Sequence, residues 1–273
     1  MGVTARRRVR RAPVGGSARA AERTLDILLA CLREGPLGIS ELSRTVRLPK
    51  ATVHRLVAVL AGRGFLARDP ATARYRLGLN AFRLGMAFLA QTHVRDAALP
   101  VIHALARETG ETVNLNVVID RQRVCIEKVE STHDIRHAVE LGRPMPLYAG
   151  ASGKVLLAHL PDSDIEAVLA SGLERLTDRT VVDPRRLRRH LATIRRQGIA
   201  VTSDERVEGA SAVSAPVRDA SGRVVAGLTI SGPTYRFTPE RVRRFAALVR
   251  EGAQTISAAL GYAAAVRGEV RGR

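Results

Sequence analysis

The chain has 273 residues, room for one large domain or two ordinary ones. Its formal net charge is +18, concentrated at the front: +11 falls within residues 1–80 and +7 within the remaining 193. That balance fits a polyanionic partner, while 3% aromatic residues and no Trp exclude the base-stacking platforms that single-strand binders need.

Taken in order, residues 1–17 hold Arg6, Arg7, Arg8, Arg10 and Arg11, then Pro13, Gly15, Gly16 and Ser17, and read as a disordered basic arm. Such an arm serves either sequence-blind DNA affinity or solubility alone. A helix follows over 18–33, with Leu25, Leu28, Leu29 and Leu32 predicted to face inward and Gly35-Pro36 ending it. Glu41–Val46 and Pro49–Arg63 then read as two helices around an Arg47-Leu48 turn, with Pro49 at a first helical position. Val53, Leu56, Val57 and Leu60 recur at i, i+3, i+4, i+7 and form one apolar face. The opposite face presents Lys50, Ala51, Thr52, His54, Arg55 and Ala58, short or cationic side chains that let the helix approach a duplex. Arg55 is the natural guanine reader. A basic amphipathic helix pair alone also describes an ordinary solvated surface. What decides is the hairpin after it: a strand over 64–69, a turn at 70–73 and a returning strand over 74–77. It reads as the wing of a winged helix, with Arg68, Arg74 and Arg76 placed for phosphates or the minor groove.

A helix over 81–91 carries Phe82, Met86 and Leu89 at i, i+4, i+7, an apolar stripe that predicts an interdomain linker helix and a dimer contact. The second half alternates strands and helices. Helices are predicted over 96–109, 152–160, 163–170, 184–197 and 239–261. Strands are predicted over 112–119, 124–129, 137–141, 199–203, 212–218 and 224–231. Asp183 before Pro184 and Gly198 after Gln197 bracket one helix, and Thr238 caps the last. Hairpin-like strand pairs with interspersed helices predict an α+β fold with an antiparallel sheet.

Several stretches together resemble the IclR family of transcriptional regulators. They are Leu48-Pro49-Lys50-Ala51-Thr52-Val53-His54-Arg55-Leu56, the wing end Tyr75-Arg76-Leu77-Gly78, Gly142-Arg143-Pro144-Met145-Pro146-Leu147-Tyr148-Ala149, Ala151-Ser152-Gly153-Lys154, Ala215-Pro216-Val217 and Ile230-Ser231-Gly232-Pro233. The resemblance spans about Ala21 to Gly261. It implies a winged helix-turn-helix over 18–78, a linker helix over 79–93, a GAF-like effector-binding domain over 94–262, and here a basic tail over 263–273. It further implies double-stranded operator DNA as partner, a homodimer or pair of dimers, and a small organic or aromatic acid as effector. The matching effector positions are Ala151, Ser152, Asp204, Ala212, Thr229 and Ser231. Several members carry Cys where this chain has Ala212, which argues against a glyoxylate-like ligand and for a roomier site.

The residues support such a site on their own terms. Ala151-Ser152-Gly153 opens a helix whose N–H groups favour an anion. Thr229 and Ser231, two apart on a strand, point their hydroxyls the same way, and Met145, Leu147 and Leu228 are candidate apolar walls, although a regular strand turns Leu228 away from the side of Thr229. The expected site is an uncharged hollow, with Lys154 on the helix surface or steering anions toward it.

Other motifs fail. Gly153-Lys154 lacks the upstream Gly and following Ser or Thr of a P-loop. His133 and His137 on an extended chain lie about 13 Å apart, too far to share a metal. Cys31 and Cys125 read as reduced core residues. No nucleophile–base pattern stands out, no run approaches 18 apolar residues, and the basic N-terminus lacks an apolar h-region. The expectation is a cytoplasmic, non-enzymatic regulator without metal or cofactor and without membrane contact. The alternative is a metabolite-binding enzyme with an accessory winged helix.

Overall fold

A computed structural model describes residues 16–90 and 93–263. The basic arm through residue 15, the tail from residue 264 and the Leu89 side chain lie outside the described residues. The chain divides into two compact units between Gln91 and Thr92.

The first unit runs α1 (Gly16–Glu34), α2 (Ile39–Val46), α3 (Lys50–Gly62), a hairpin of β1 (Leu66–Arg68) and β2 (Tyr75–Leu77), and α4 (Leu79–Ala90). The turn between α2 and α3 puts Arg47 in the left-handed region at φ 55. It is closed by Leu48 N–H donating to Ser43 O at 3.1 Å and by Ser43 Oγ–H donating back to Leu48 O at 2.6 Å. Pro49 is the N-cap of α3 and not its first helical residue, so the helix begins one residue later than predicted. Its carbonyl accepts from Thr52 and Val53 at 2.9 and 3.0 Å, an arrangement that needs no N–H on Pro49 itself. The predicted apolar face of α3 forms: Val53, Val57 and Leu60 are buried and Leu56 packs partly buried beside them, and the same core takes in Leu42 and Leu66.

The inward face of α1 is not the predicted one. Of the predicted residues only Leu28 packs, partly buried, against the core; Leu25, Leu29 and Leu32 are exposed, and Ile27, Ala30 and Cys31 are buried in their place. The helix carries two apolar stripes, and only one can meet α2 and α3. The small Ala30 and Cys31 let the helices approach closely.

The second unit is a six-stranded antiparallel sheet in the order β5-β4-β3-β8-β7-β6. Its strands are β3 (Thr112–Ile119), β4 (Gln122–Val129), β5 (Pro144–Pro146), β6 (Ala200–Ser203), β7 (Ala210–Arg218) and β8 (Val224–Pro233). Helix α5 (His93–Thr109) and the long α9 (Pro239–Ala259) cover one face. The short α6 (Ala151–Leu157) lies on the other, backed by α7 (Asp162–Ala170) and α8 (Pro184–Gln197). Asp183 caps α8 by accepting from Arg186 N–H at 2.5 Å, and Gly198 ends it at φ 64, as the sequence predicts.

The strand predicted over 137–141 is absent. That segment is irregular: Val139 O accepts from Lys128 Nζ at 2.6 Å, and Gly142 N–H donates to Cys125 O at 2.8 Å. The edge strand is instead β5, where Pro144 and Pro146, lacking N–H groups, are tolerated because one side of the strand needs no partner. A 3-10 turn at Thr234–Arg236 also escaped prediction. It is tied down by Arg236 donating at 2.6 and 2.8 Å to Glu111, a carboxylate shut off from solvent. Both cysteines are free and buried, and burial pushes the Cys125 thiol up to about 11. No described helix is long and apolar enough to cross a membrane.

Alternation on β3 and β8 sets up the site. Val113, Leu115, Leu228 and Ile230 pack within the core, while Asn114 pairs in register with Thr229, and Thr112 with Ser231, on the α6 side. Helix α6 sits close to the chain before it, since a Cβ on Gly153 would lie 2.6 Å from Leu147 O. Gly153→Ala therefore lowers stability by about 1–3 kcal/mol through overpacking, read as a lower urea midpoint. A midpoint unchanged or raised, as the ~1 kcal/mol helix-propensity gain alone would produce, contradicts this packing.

Candidate functional site

In the first unit, α3 turns Lys50, Ala51, His54, Arg55 and Ala58 to solvent, with Thr52 partly covered. Lys50 and Arg55 have no carboxylate within ion-pair distance among the described residues, nor do the wing residues Arg68 and Arg76, both exposed. Arg74 differs from expectation: its guanidinium is ion-paired to Glu41 of α2, which also accepts from Gly38 N–H at 2.8 Å. It braces the wing against α2. The wing gains a third chain crossing that the sequence did not signal, with Leu37 and Tyr75 exchanging backbone hydrogen bonds of 3.0 and 2.8 Å. At the wing tip, Asp69 accepts from Ala71 and Thr72 N–H groups at 2.8 and 3.2 Å, which holds the Asp69 carboxyl below its usual range.

In the second unit a cleft of about 430 Å³, open mouth included, lies between the sheet, the start of α6 and the β6–β7 loop. Ala151, Ser152, Ala212, Thr229 and Ser231 line it, as expected. Asp204 does not. With φ at 59, Asp204 turns its carboxylate back to Gly209 N–H at 2.7 Å and Thr234 Oγ at 3.1 Å, closing its own loop. Its neighbours Glu205 and Arg206, together with Thr202, reach the cleft instead.

The expected apolar walls are also absent from it. Met145 and Leu228 do not line the cleft, and Leu147 is packed in the core among α6, α7 and α8. Lys154 is no surface residue: only 1% exposed, it donates to Glu205 at 2.5 Å and lies 3.5 Å from His190 Nδ1. Burial pulls the Lys154 ammonium down, and the Glu205 carboxylate opposes that.

The cleft is charged, through residues the sequence reading missed. Arg123, on β4, is 5% exposed and donates to Asn116 Oδ1 at 2.7 Å. Asn116 donates in turn to Asn114 Oδ1 at 2.7 Å, and Asn114 to Ser231 Oγ at 3.3 Å. Arg123 Nε–H is buried without a partner. Burial, and then repulsion from Arg206, pull the Arg123 guanidinium down to about 10. Arg206 Nη2 lies 2.6 Å from His137 Nε2. Burial and the two arginines bring His137 down to about 4, so the ring is neutral at neutral pH and Nε2 accepts. β4 starts at Gln122, two residues before the predicted strand at 124–129, so Arg123 falls outside every predicted element. No group of three or more His, Cys, Asp or Glu among the described residues is arranged to hold a metal.

Both halves have close relatives. A family profile described as the IclR helix-turn-helix domain matches residues 20–70, and one described as the bacterial transcriptional regulator IclR C-terminal domain matches residues 86–258. The HTH-type transcriptional regulator KdgR of Escherichia coli is 35% identical over 88% of this chain and 92% of its own. The crystal structure of Thermotoga maritima IclR superposes with a TM-score of 0.78 at 31% identity, covering 90% of this chain and all of that one. An IclR homolog from Microbacterium hydrocarbonoxydans, complexed with 4-hydroxybenzoate, superposes with a TM-score of 0.80 at 26% identity over 88% of this chain and 98% of that one. The chain belongs to the IclR family of bacterial transcriptional regulators, with a helix-turn-helix domain in front and an effector-binding domain behind.

Proposed function

We propose that the protein is a cytoplasmic homodimer, able to pair into a dimer of dimers, that reads a specific operator and is controlled by a small organic acid held in the C-terminal cleft. The observation that carries the DNA side is the outer face of α3, where Lys50, Thr52, His54 and Arg55 surround the short Ala51 and Ala58, with Val59 exposed one turn further on, a surface slim enough for a major groove. Arg55 reads a base, Lys50 and Thr52 contact bases or phosphates, and Arg68 and Arg76 hold the backbone beside the wing. Arg74 acts through its pairing with Glu41. The bound 4-hydroxybenzoate of the Microbacterium relative supports an acid as the controlling ligand.

The dimer contact is assigned to α4. Leu79, Phe82, Leu84, Met86 and Phe88 are all exposed on this one helix, with Phe82 63% open to solvent. An apolar surface of this extent is expected to be covered in the working protein. Control then requires that the acid bind better to one arrangement of the paired reading helices than to the other.

Two outcomes follow. Arg55→Ala weakens operator binding by about 1–3 kcal/mol, roughly five- to 150-fold, and relaxes selectivity at one operator position in mobility shifts. Unchanged affinity and selectivity remove Arg55 from the reading role. Phe82→Glu, which puts a charge in the α4 contact, shifts the chain from dimer to monomer in sedimentation velocity while the circular dichroism spectrum is retained. A variant that sediments as wild type moves the dimer contact elsewhere.

A further inference from the structure

The charges lining the cleft do not balance. Glu205 is the one acid among its lining residues, and both its oxygens are engaged, Oε1 by Lys154 at 2.5 Å and Oε2 by Gly150 N–H at 3.3 Å. Arg123 and Arg206 have no carboxylate within ion-pair distance among the described residues, and His137, beside Arg206, is neutral. Two guanidinium charges therefore face one small hollow with nothing opposite them. Like charges in a desolvated site repel strongly and are kept where a ligand neutralises them. The buried, unpartnered Arg123 Nε–H is a donor still lacking its acceptor.

The rest of the lining narrows the ligand. It contains no Phe or Tyr, which leaves an aromatic ligand only the His137 ring and the guanidinium planes to stack on and no apolar ring slot to enter. It is instead rich in small polar groups: Asn114, Ser152, Thr202, Ser211, Thr229 and Ser231. The enclosed part of the hollow is only about 40 Å³, which limits the ligand to a compact molecule reaching in from the open mouth. Arg143, which flanks Arg206 from an adjoining hollow, is paired with Glu140 at 2.7 Å and so leaves the balance unchanged.

We propose that the cleft takes a compact, non-aromatic dianion, whose negative charge is shared between Arg123 on β4 and Arg206 on the β6–β7 loop. This rests on the effector reading above and refines it, from an organic acid in general to one with two negative charges. The ligand would bridge a fixed strand and a loop bounded by the left-handed residues Asp204 and Gly209, drawing the loop against the sheet. Two sources share this chemistry, a short dicarboxylate and a phosphoryl group.

The test uses the full-length protein, with titration calorimetry and thermal shift at constant ionic strength. The probes are succinate, malate, butyrate (the same carbon length with one charge), 4-hydroxybenzoate and inorganic phosphate. The expected result is that succinate, malate or phosphate binds about tenfold or more tightly than butyrate, and that Arg206→Gln, at a partly exposed position, removes this advantage while still melting cooperatively. Arg123→Gln gives the same loss, and because Arg206→Gln leaves the sheet untouched, the conclusion does not depend on the buried variant folding. Phosphate binding more tightly than both dicarboxylates identifies the source as phosphoryl, and the reverse order identifies a dicarboxylate. Butyrate or 4-hydroxybenzoate binding as tightly as any dianion, or an Arg206→Gln variant with undiminished preference, overturns the dianion and leaves the acid-effector reading intact. No binding by any of the acids overturns both.

Discussion

A pair of neighbouring strands with polar side chains on a buried face is the constraint around which the C-terminal unit is built. Asn114 and Asn116 on β3 meet Thr229 and Ser231 on β8, and none of the four is open to solvent. Buried polar groups are tolerated only when each finds a partner, and here they find one another, in a chain from Arg123 through Asn116 and Asn114 to Ser231. Apolar neighbours of the same strands pack in the core, so the alternation cannot slip without inverting both faces. Helix α6, only seven residues long, covers part of the polar face and leaves the remainder as the cleft. Its brevity also means that the positive potential there comes from arginines more than from a helix end.

The N-terminal unit solves a different problem. It must present cations to solvent on a rigid support, and it does so with a small core: Ile27, Leu42, Val53, Val57, Leu60 and Leu66. The wing is held at both ends, by the Leu37–Tyr75 backbone pair and by the Arg74–Glu41 ion pair. With Arg74 engaged in that support, Arg68 and Arg76 remain exposed, with no carboxylate within ion-pair distance among the described residues. Apolar side chains are left open on α1 and α4, and a second subunit is proposed to cover those of α4.

Local signals were legible in the sequence and long-range ones were not. The Asp183–Pro184 start and Gly198 stop of α8, the Thr238 cap and the helix-turn-helix depend on neighbours within a few residues, and the structure reproduces them closely. The buried stripe of α1 was misread because two stripes compete and only the shape of the groove between helices chooses. Lys154 looked exposed because its counter-charge, Glu205, stands 51 residues away in sequence. The substitution of Glu205 for Asp204 in the cleft follows from one left-handed residue, which periodicity does not reveal. Arg123 and Arg206 converge only through the sheet order and a loop, so the expectation of an uncharged hollow gave way to a cationic one.

The central claim is that occupancy of the cleft and grip on DNA are one linked equilibrium. Linkage requires reciprocity: the factor by which a saturating effector changes operator affinity must equal the factor by which saturating operator changes effector affinity. Measuring the affinity of the tightest-binding acid by calorimetry, with and without saturating operator duplex, tests this most directly. The account predicts a change in acid affinity matching, within error, the change in operator affinity that the acid produces. An acid affinity indifferent to bound operator contradicts it.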